Sequence, residues 1–129
     1  MIGFRPRWRA FVAATAATLS LAAAGSALAH SDLHNSEPAD GSVVRATPPA
    51  IVLMFQMPMR VMTLRLLDEA GREKKLAREG ERAAAVQEVR AAVQDRLAPG
   101  AYRIEWRGAS PDGHVGGGTV GFRVEPAAR

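Results

Sequence analysis

Three histidines and one nearby carboxylate are the residues of this sequence whose types and spacing suit metal chemistry. His114 follows Asp112, with only Gly113 between them. Residues two apart in an extended chain point to the same face, so an imidazole and a carboxylate would lie side by side. The other two histidines, His30 and His34, lie far upstream. Imidazole and carboxylate groups are ligands for Cu(II) and zinc, although Asp-Gly-His is also common turn chemistry.

The first 29 residues are expected to be a secretory signal peptide. They begin with three arginines and no acid, continue with the apolar stretch Ala10–Ala24, and end at Ala27-Leu28-Ala29, a small-x-small cleavage site. The apolar run is shorter than the ~20 residues that span a membrane, and it contains no Arg-Arg pair. We therefore expect export to the periplasm by the general secretory pathway, with no membrane anchor left after cleavage.

Cleavage after Ala29 would leave a mature domain, residues 30–129, that begins with His30. The free α-amine and the imidazole Nδ1 of His30 could then chelate one ion, an arrangement called a histidine brace. A third nitrogen from His114 and an oxygen from Asp112 would complete the nitrogen-rich tetragonal set that Cu(II) prefers. The same donors could hold zinc, but the Irving–Williams order favours copper.

A second kind of N-terminal copper site, which uses deprotonated backbone amides, is excluded. It requires histidine at the third mature position, and that position is Asp32. His34 is the fifth mature residue and is expected to be an exposed loop residue.

Composition excludes several other functions. The chain has 129 residues and no cysteine, which rules out disulfides, thiolate metal sites, cupredoxin-type electron transfer and cysteine nucleophiles. Residues 1–29 hold three of the 17 Lys and Arg and none of the 13 Asp and Glu. The mature part is therefore almost neutral, and with few aromatics it lacks the features of a nucleic-acid-binding protein.

An enzymatic function is not expected. A serine hydrolase triad is available only from Ser110, Asp112 and His114, which are too close in sequence to relay a proton through one imidazole. A histidine brace also serves copper-dependent polysaccharide monooxygenases, but these need a flat aromatic substrate face, and this small domain has few aromatics to form one.

Short apolar runs separated by turns predict an all-β fold, a small β-sandwich. The stretch Leu97-Ala98-Pro99-Gly100-Ala101-Tyr102 is typical of the tyrosine corner of Greek-key sandwiches. Segment 81–97 is ambiguous, because its valines also recur at helical spacing, and we favour a strand over 86–94. The other predicted strands are Ile51–Gln56 (ended by Pro58), Val61–Leu67, a polar edge strand Arg72–Arg78, Tyr102–Arg107 and Thr119–Val124.

Taken together, these residues resemble the CopC-type copper-resistance proteins of the bacterial periplasm. The resemblance covers nearly all of residues 30–125, and its specific part is His30 combined with Trp106-x5-Asp112-x-His114. The other matching residues are Leu33, Ser36-x-Pro38-Ala39-x-Gly41, Leu53-x-Phe55, Leu97-x-Pro99-Gly100-x-Tyr102, Ser110, Gly113, Gly118 and Phe122-x-Val124.

The resemblance implies a Greek-key, Ig-like β-sandwich of about seven strands with a Cu(II) site at one end. Its ligands would be His30 through amine and imidazole, His114 and Asp112, with Trp106 packed nearby in the core. It also implies a role in copper resistance or homeostasis, in which copper is sequestered or passed to an inner-membrane copper transport protein. The alternative is a metal-free, secreted, Ig-like protein-interaction module.

Methionines raise a further hypothesis. Thioether sulfur is a soft donor suited to Cu(I), and some CopC-type proteins have a methionine-rich Cu(I) site. Met57, Met59 and Met62 flank Pro58 and could form a second copper site of this kind. The other interpretation is that the methionines belong to the apolar core, as Met54 in the apolar strand indicates, since methionine fills irregular gaps well. Met57, Met59 and Met62 could instead be exposed together.

Overall fold

The computed structural model describes Gly3 and residues 32–126. Residues 32–126 form a series of β-strands. The predicted signal peptide, residues 1–29, and the predicted N-terminal residue, His30, otherwise lie outside the described residues. This part of the chain contains no helix with the length and hydropathy needed to cross a membrane. The strands are β1 (Leu33–Glu37), β2 (Ser42–Val44), β3 (Ala50–Asp68), β4 (Glu73–Lys74), β5 (Leu76–Arg78), β6 (Val86–Val93), β7 (Gly100–Ala109) and β8 (Val115–Val124).

Strand β3 belongs to both layers of the fold. Its first half pairs with β1 and β6, and its second half pairs with β7 and β4. The strand order β2-β8-β7-β3-β6-β5 therefore folds over at β3, and apolar side chains from both halves meet in one core. This confirms the predicted β-sandwich. The described residues form eight strands, where about seven were expected.

The prediction that Pro58 ends the first apolar strand is wrong. Strand β3 continues through Pro58 and is 19 residues long in all. Pro58 has no N–H to donate, but it lies where the ladder with β6 is irregular, between the pairs made by Met54 and Met59. A proline at such an irregularity removes no regular ladder hydrogen bond, and the strand passes from one sheet to the other just after it.

The ambiguous segment 81–97 contains a strand, β6, and this confirms the preference for a strand over 86–94. Val89 and Ala91 are buried while Arg90 between them is exposed, which is the period of two of a half-buried strand. The segment pairs with β3 on one side and β5 on the other. Pairing with strands distant in sequence thus overrides the local helical spacing of the valines.

The turn before β7 is the predicted tyrosine corner. The Tyr102 hydroxyl donates a hydrogen bond to the Ala98 carbonyl oxygen at 2.5 Å. The Tyr102 ring also stacks on Phe122 of β8, with centroids 5.6 Å apart. These contacts fix the start of β7 against β8 and so determine where the opposite ends of both strands lie.

Trp106 of β7 is part of the core, as predicted. Its ring meets Phe55 edge-on, with centroids 5.0 Å apart. On its other side the indole lies against Gly118 of β8, where a Cβ would be only 2.9 Å from Trp106 Nε1. A glycine is therefore needed at position 118 for the indole to lie flat beside the strand.

We expect Gly118→Ala to lower the free energy of unfolding by about 1–3 kcal/mol, the usual cost of overpacking a core. Chemical denaturation followed by Trp106 fluorescence would measure the change. Gly121→Ala is the matched control on the same strand, because a Cβ there would meet nothing closer than Asp40 Oδ1 at 3.8 Å. Equal stability of the two variants would contradict the close indole contact.

Candidate metal centre

The turn that joins β7 to β8 carries two of the three predicted ligands, Asp112 and His114. Two backbone hydrogen bonds set its shape: the Ser110 amide donates to the His114 carbonyl oxygen at 2.8 Å, and the Gly113 amide donates to the Ser110 carbonyl oxygen at 3.0 Å. Gly113 has a φ of 91°, a value that glycine adopts readily. The turn presents both side chains to solvent, with 86% of His114 and 65% of Asp112 exposed.

The Asp112 carboxylate lies against the His114 imidazole, with Oδ2 at 2.8 Å from Nδ1. The other carboxylate oxygen, Oδ1, accepts hydrogen bonds from the Ser110 hydroxyl and from the His114 amide. These bonds, that of Ser110 foremost, lower the pKa of Asp112 to about 2. The carboxylate is therefore ionised at neutral pH and can approach a cation without first losing a proton.

The spacing of these two groups is suitable for a metal ion. Two donor atoms that lie ~2.0 Å from one ion, at right angles to each other, are about 2.8 Å apart. Asp112 Oδ2 and His114 Nδ1 could therefore bind one ion together. The same contact also fits a carboxylate that orients the imidazole so that Nε2 binds the metal, as is common around metal-bound histidines.

The chain that leads into β1 runs beside the same turn. The Asp32 carbonyl oxygen accepts a hydrogen bond from the Gln56 amide at 3.0 Å. Its side-chain Oδ2 lies 2.5 Å from the place that a Cβ on Gly116 would occupy. Since Gly116 comes two residues after His114, the start of β1 and the Asp112–His114 turn lie at the same end of the sandwich.

His30 precedes Asp32 by two residues and lies outside the described residues. Two residues of chain span at most about 7 Å. The position of Asp32 therefore limits how far His30 can lie from the β7–β8 turn.

The third histidine is not part of this cluster. His34 is exposed, as predicted, but it lies in strand β1 and not in a loop. Between residues 32 and 126, no group of three or more His, Asp and Glu side chains is placed to hold a metal ion. The described residues thus contribute the Asp112–His114 pair to the candidate centre.

The three methionines of the hypothetical Cu(I) site do not share one surface. Met59 is 1% exposed and packs against Gly108 in the core, so the expectation that the three are exposed together is wrong for Met59. Met57 and Met62 are 65% and 51% exposed. A Cu(I) site that uses all three remains a prediction, and it would require Met59 to leave the core.

Sequence reasoning gave no structural role to two residues near the centre. Ser110 was considered for a hydrolase triad and as a residue that matches the family, yet neither predicted that its hydroxyl donates a hydrogen bond to the Asp112 carboxylate. Its spacing of two residues from an aspartate is a common side-chain turn pattern and could have indicated this. Asp32 was used only to exclude an amide-based clamp, and no local pattern predicts its approach to Gly116.

Trp106 lies beneath the centre and would report on it. Its ring atom Cη2 is 4.0 Å from the position of a Cβ on Gly116. The indole is buried, and its N–H has no hydrogen-bond partner among the described residues. The other tryptophan of the chain, Trp8, belongs to the predicted signal peptide. Fluorescence of the mature domain would therefore come from one tryptophan close to the candidate ligands.

Comparison with known proteins identifies relatives of both the sequence and the fold. A model of the CopC domain family matches residues 33–125. The crystal structure of CopC from Methylosinus trichosporium OB3b is 27% identical, with a TM-score of 0.66, over 78% of this chain and 98% of that one. A structure of PcoC, a methionine-rich copper resistance protein from Escherichia coli, is 24% identical, with a TM-score of 0.58, over 74% of this chain and 99% of that one. A comparison with curated proteins finds no match.

Proposed function

The chain belongs to the CopC domain family, and from this we propose that it captures Cu(II) in the periplasm for copper resistance or homeostasis. The ligands would be the α-amine and imidazole of His30, the imidazole of His114, and the carboxylate of Asp112. The observation that supports the proposal is that Asp32, two residues after His30, lies against Gly116, two residues after His114.

The chemistry of the donors supports copper over other divalent metals. Three nitrogens and one carboxylate oxygen are typical of tetragonal Cu(II) sites, and Cu(II) is the strongest binder of the divalent first-row series. The ionised Asp112 would offset part of the charge of the ion. Zinc would use the same donors with lower affinity.

The exposure of the centre supports a binding and transfer function. Asp112 and His114 lie in a solvent-exposed turn, where an incoming ion can reach both side chains directly. We propose that the protein sequesters the ion or passes it to an inner-membrane copper transport protein. The signal peptide expected at residues 1–29 would deliver it to the same compartment.

Cu(II) titration at several pH values would test this proposal. Metal ligands must be deprotonated to bind, and imidazole and α-amino groups generally titrate between about pH 6 and 8. We expect the apparent affinity to fall as the pH is lowered through this range. Protonation of Asp112 should cause no further loss of Cu(II) affinity above about pH 3, because its pKa is lowered to about 2. Quenching of Trp106 fluorescence by paramagnetic Cu(II) would measure the binding.

Zinc provides the control for this titration, because the closed-shell ion should compete for the site without quenching Trp106 in the same way. A copper affinity that does not change between pH 8 and 6 would contradict imidazole and amine ligands. Weak binding at every pH would favour the metal-free interaction module instead.

A further inference from the structure

Strand β3 has an open edge at the point where it enters its second sheet. The hairpin with β4 places Leu66 opposite Lys74 and Leu67 opposite Glu73. If this register continued, Leu64 would lie opposite Leu76. Leu76 instead begins β5 and pairs with Val93 of β6, in the other sheet.

The departure of β5 leaves residues 60–65 of β3 paired on one side only. That side faces β7. On the opposite side, no strand among the described residues pairs with them. The Asp68 amide donates to the Arg72 carbonyl oxygen on this side. In a β-strand the backbone groups of every second residue point to the same side. The N–H and C=O of Leu64, four residues before Asp68, therefore lie on the same open edge.

A groove follows this open edge. Its volume is about 460 Å³, and its apolar floor is formed by Met62, Leu64 and Leu76. The Arg78 guanidinium reaches across it and donates to the Val61 carbonyl oxygen at 2.6 Å. A side chain thus satisfies a backbone acceptor that a neighbouring strand would otherwise pair with.

The rim of the groove is cationic. Four basic side chains line it against two carboxylates; the bases are Lys74, Lys75, Arg78 and Arg82, and the acids are Glu73 and Asp95. Glu73 is paired with Arg65 at 3.5 Å, outside the groove. Asp95 accepts a hydrogen bond from the Lys75 amide at 2.7 Å.

Three of these cations lack a partner of opposite charge. Lys75, Arg78 and Arg82 make no ion pair with any described carboxylate. Burial lowers the pKa of Arg78, and repulsion by the nearby charge of Arg82 lowers it further. Carboxylates placed between them would relieve this repulsion.

We propose that this groove binds an acidic, extended segment of a partner protein, which adds a short strand to the open edge of β3 beside Leu64. Backbone hydrogen bonds to the edge would supply affinity, and alternate side chains would reach the apolar floor and the cationic rim. The groove shares no residue with the Cu(II) centre proposed at His30, Asp112 and His114, whereas Met62 on its floor is also a candidate Cu(I) ligand.

Other occupants fit the groove less well. The residues outside the described part, 1–2, 4–31 and 127–129, contain no Asp or Glu, so these segments of the chain cannot supply the acidic strand. A second copy would bring its own cationic rim against this one. The two rims would then repel each other.

A synthetic peptide tests the proposal. The probe is a fluorescein-labelled ten-residue peptide of alternating Glu and Val, added to the metal-free mature chain at low salt and followed by anisotropy. We expect Arg82→Glu to weaken binding by about tenfold, since it reverses a charge at the rim. Arg45→Glu is the matched control: it makes the same charge change at an exposed position away from the groove, and should change binding by less than about twofold.

A second peptide separates strand pairing from charge attraction alone. The same peptide, N-methylated at alternate residues, keeps its charges but loses the backbone N–H donors along one of its edges. We expect it to bind at least about tenfold more weakly. Equal binding of the two peptides, or equal effects of Arg82→Glu and Arg45→Glu, would overturn the proposal. Binding to phosphatidylglycerol vesicles without peptide binding, or self-association in sedimentation, would assign the groove to a lipid surface or a second copy and would also overturn it.

Discussion

A single methionine placed before His30 is expected to lower the Cu(II) affinity by about 100-fold or more. The extra residue converts the α-amine into a peptide amide, which does not bind copper as a neutral donor. The imidazole of His30 then remains as a single ligand without its chelate ring. Asp112 and His114 are unaffected, so the loss measures the N-terminal chelate alone.

Two preparations of the mature domain would be compared, one beginning at His30 and one with the added methionine. Competition against a chelator gives the affinity, and copper EPR gives the ligand set. The His30 preparation should show a tetragonal, nitrogen-rich signal that the extended one lacks. A third preparation with the methionine added after Arg129 keeps the α-amine free and should bind as the first does. Equal and weak binding by all three would exclude the histidine brace.

His114→Ala is expected to reduce Cu(II) affinity by a similar factor, about 100-fold or more, because it removes a nitrogen ligand and leaves the Asp112 carboxylate without its imidazole neighbour. The side chain is 86% exposed, so its removal creates no cavity in the core. The same chelator competition and EPR measurement would report the change.

His34→Ala is the matched control for this variant. His34 is exposed on β1 and lies outside the Asp112–His114 pair. Its replacement should leave the affinity within about twofold of the unchanged protein, since no ligand is lost. If His34→Ala weakened binding as strongly as His114→Ala, the proposed ligand set without His34 would be contradicted.

Local patterns were enough to predict part of the candidate centre. The spacing of Asp112 and His114 predicted that their side chains lie together, but the prediction assumed extended chain. The two residues instead lie in one short turn whose shape depends on nearby backbone hydrogen bonds. The Tyr102–Ala98 hydrogen bond was predictable because a four-residue sequence separation suffices to form it. Such contacts depend little on the rest of the fold.

Contacts between distant parts of the chain could not be predicted. The approach of Asp32 to Gly116 depends on how β1 and β8 are placed by strands between them, and no residue type at either position indicates it. The continuation of β3 through Pro58 was missed because a proline normally ends a strand. Its tolerance here depends on an irregular pairing with β6, which follows about thirty residues later in the sequence.

Because β3 belongs to both sheets, it also affects when the protein can fold. The strands that flank most of its length, β6 and β7, come after it in the chain, and the pairing partner of β7, β8, comes last. The layer that contains β7 and β8 cannot form until these C-terminal strands are available, so the sandwich cannot close before then. Pairing over such sequence distances is slow. The nascent chain would therefore stay open during synthesis. This is the state required of a protein that is threaded through a membrane before it folds.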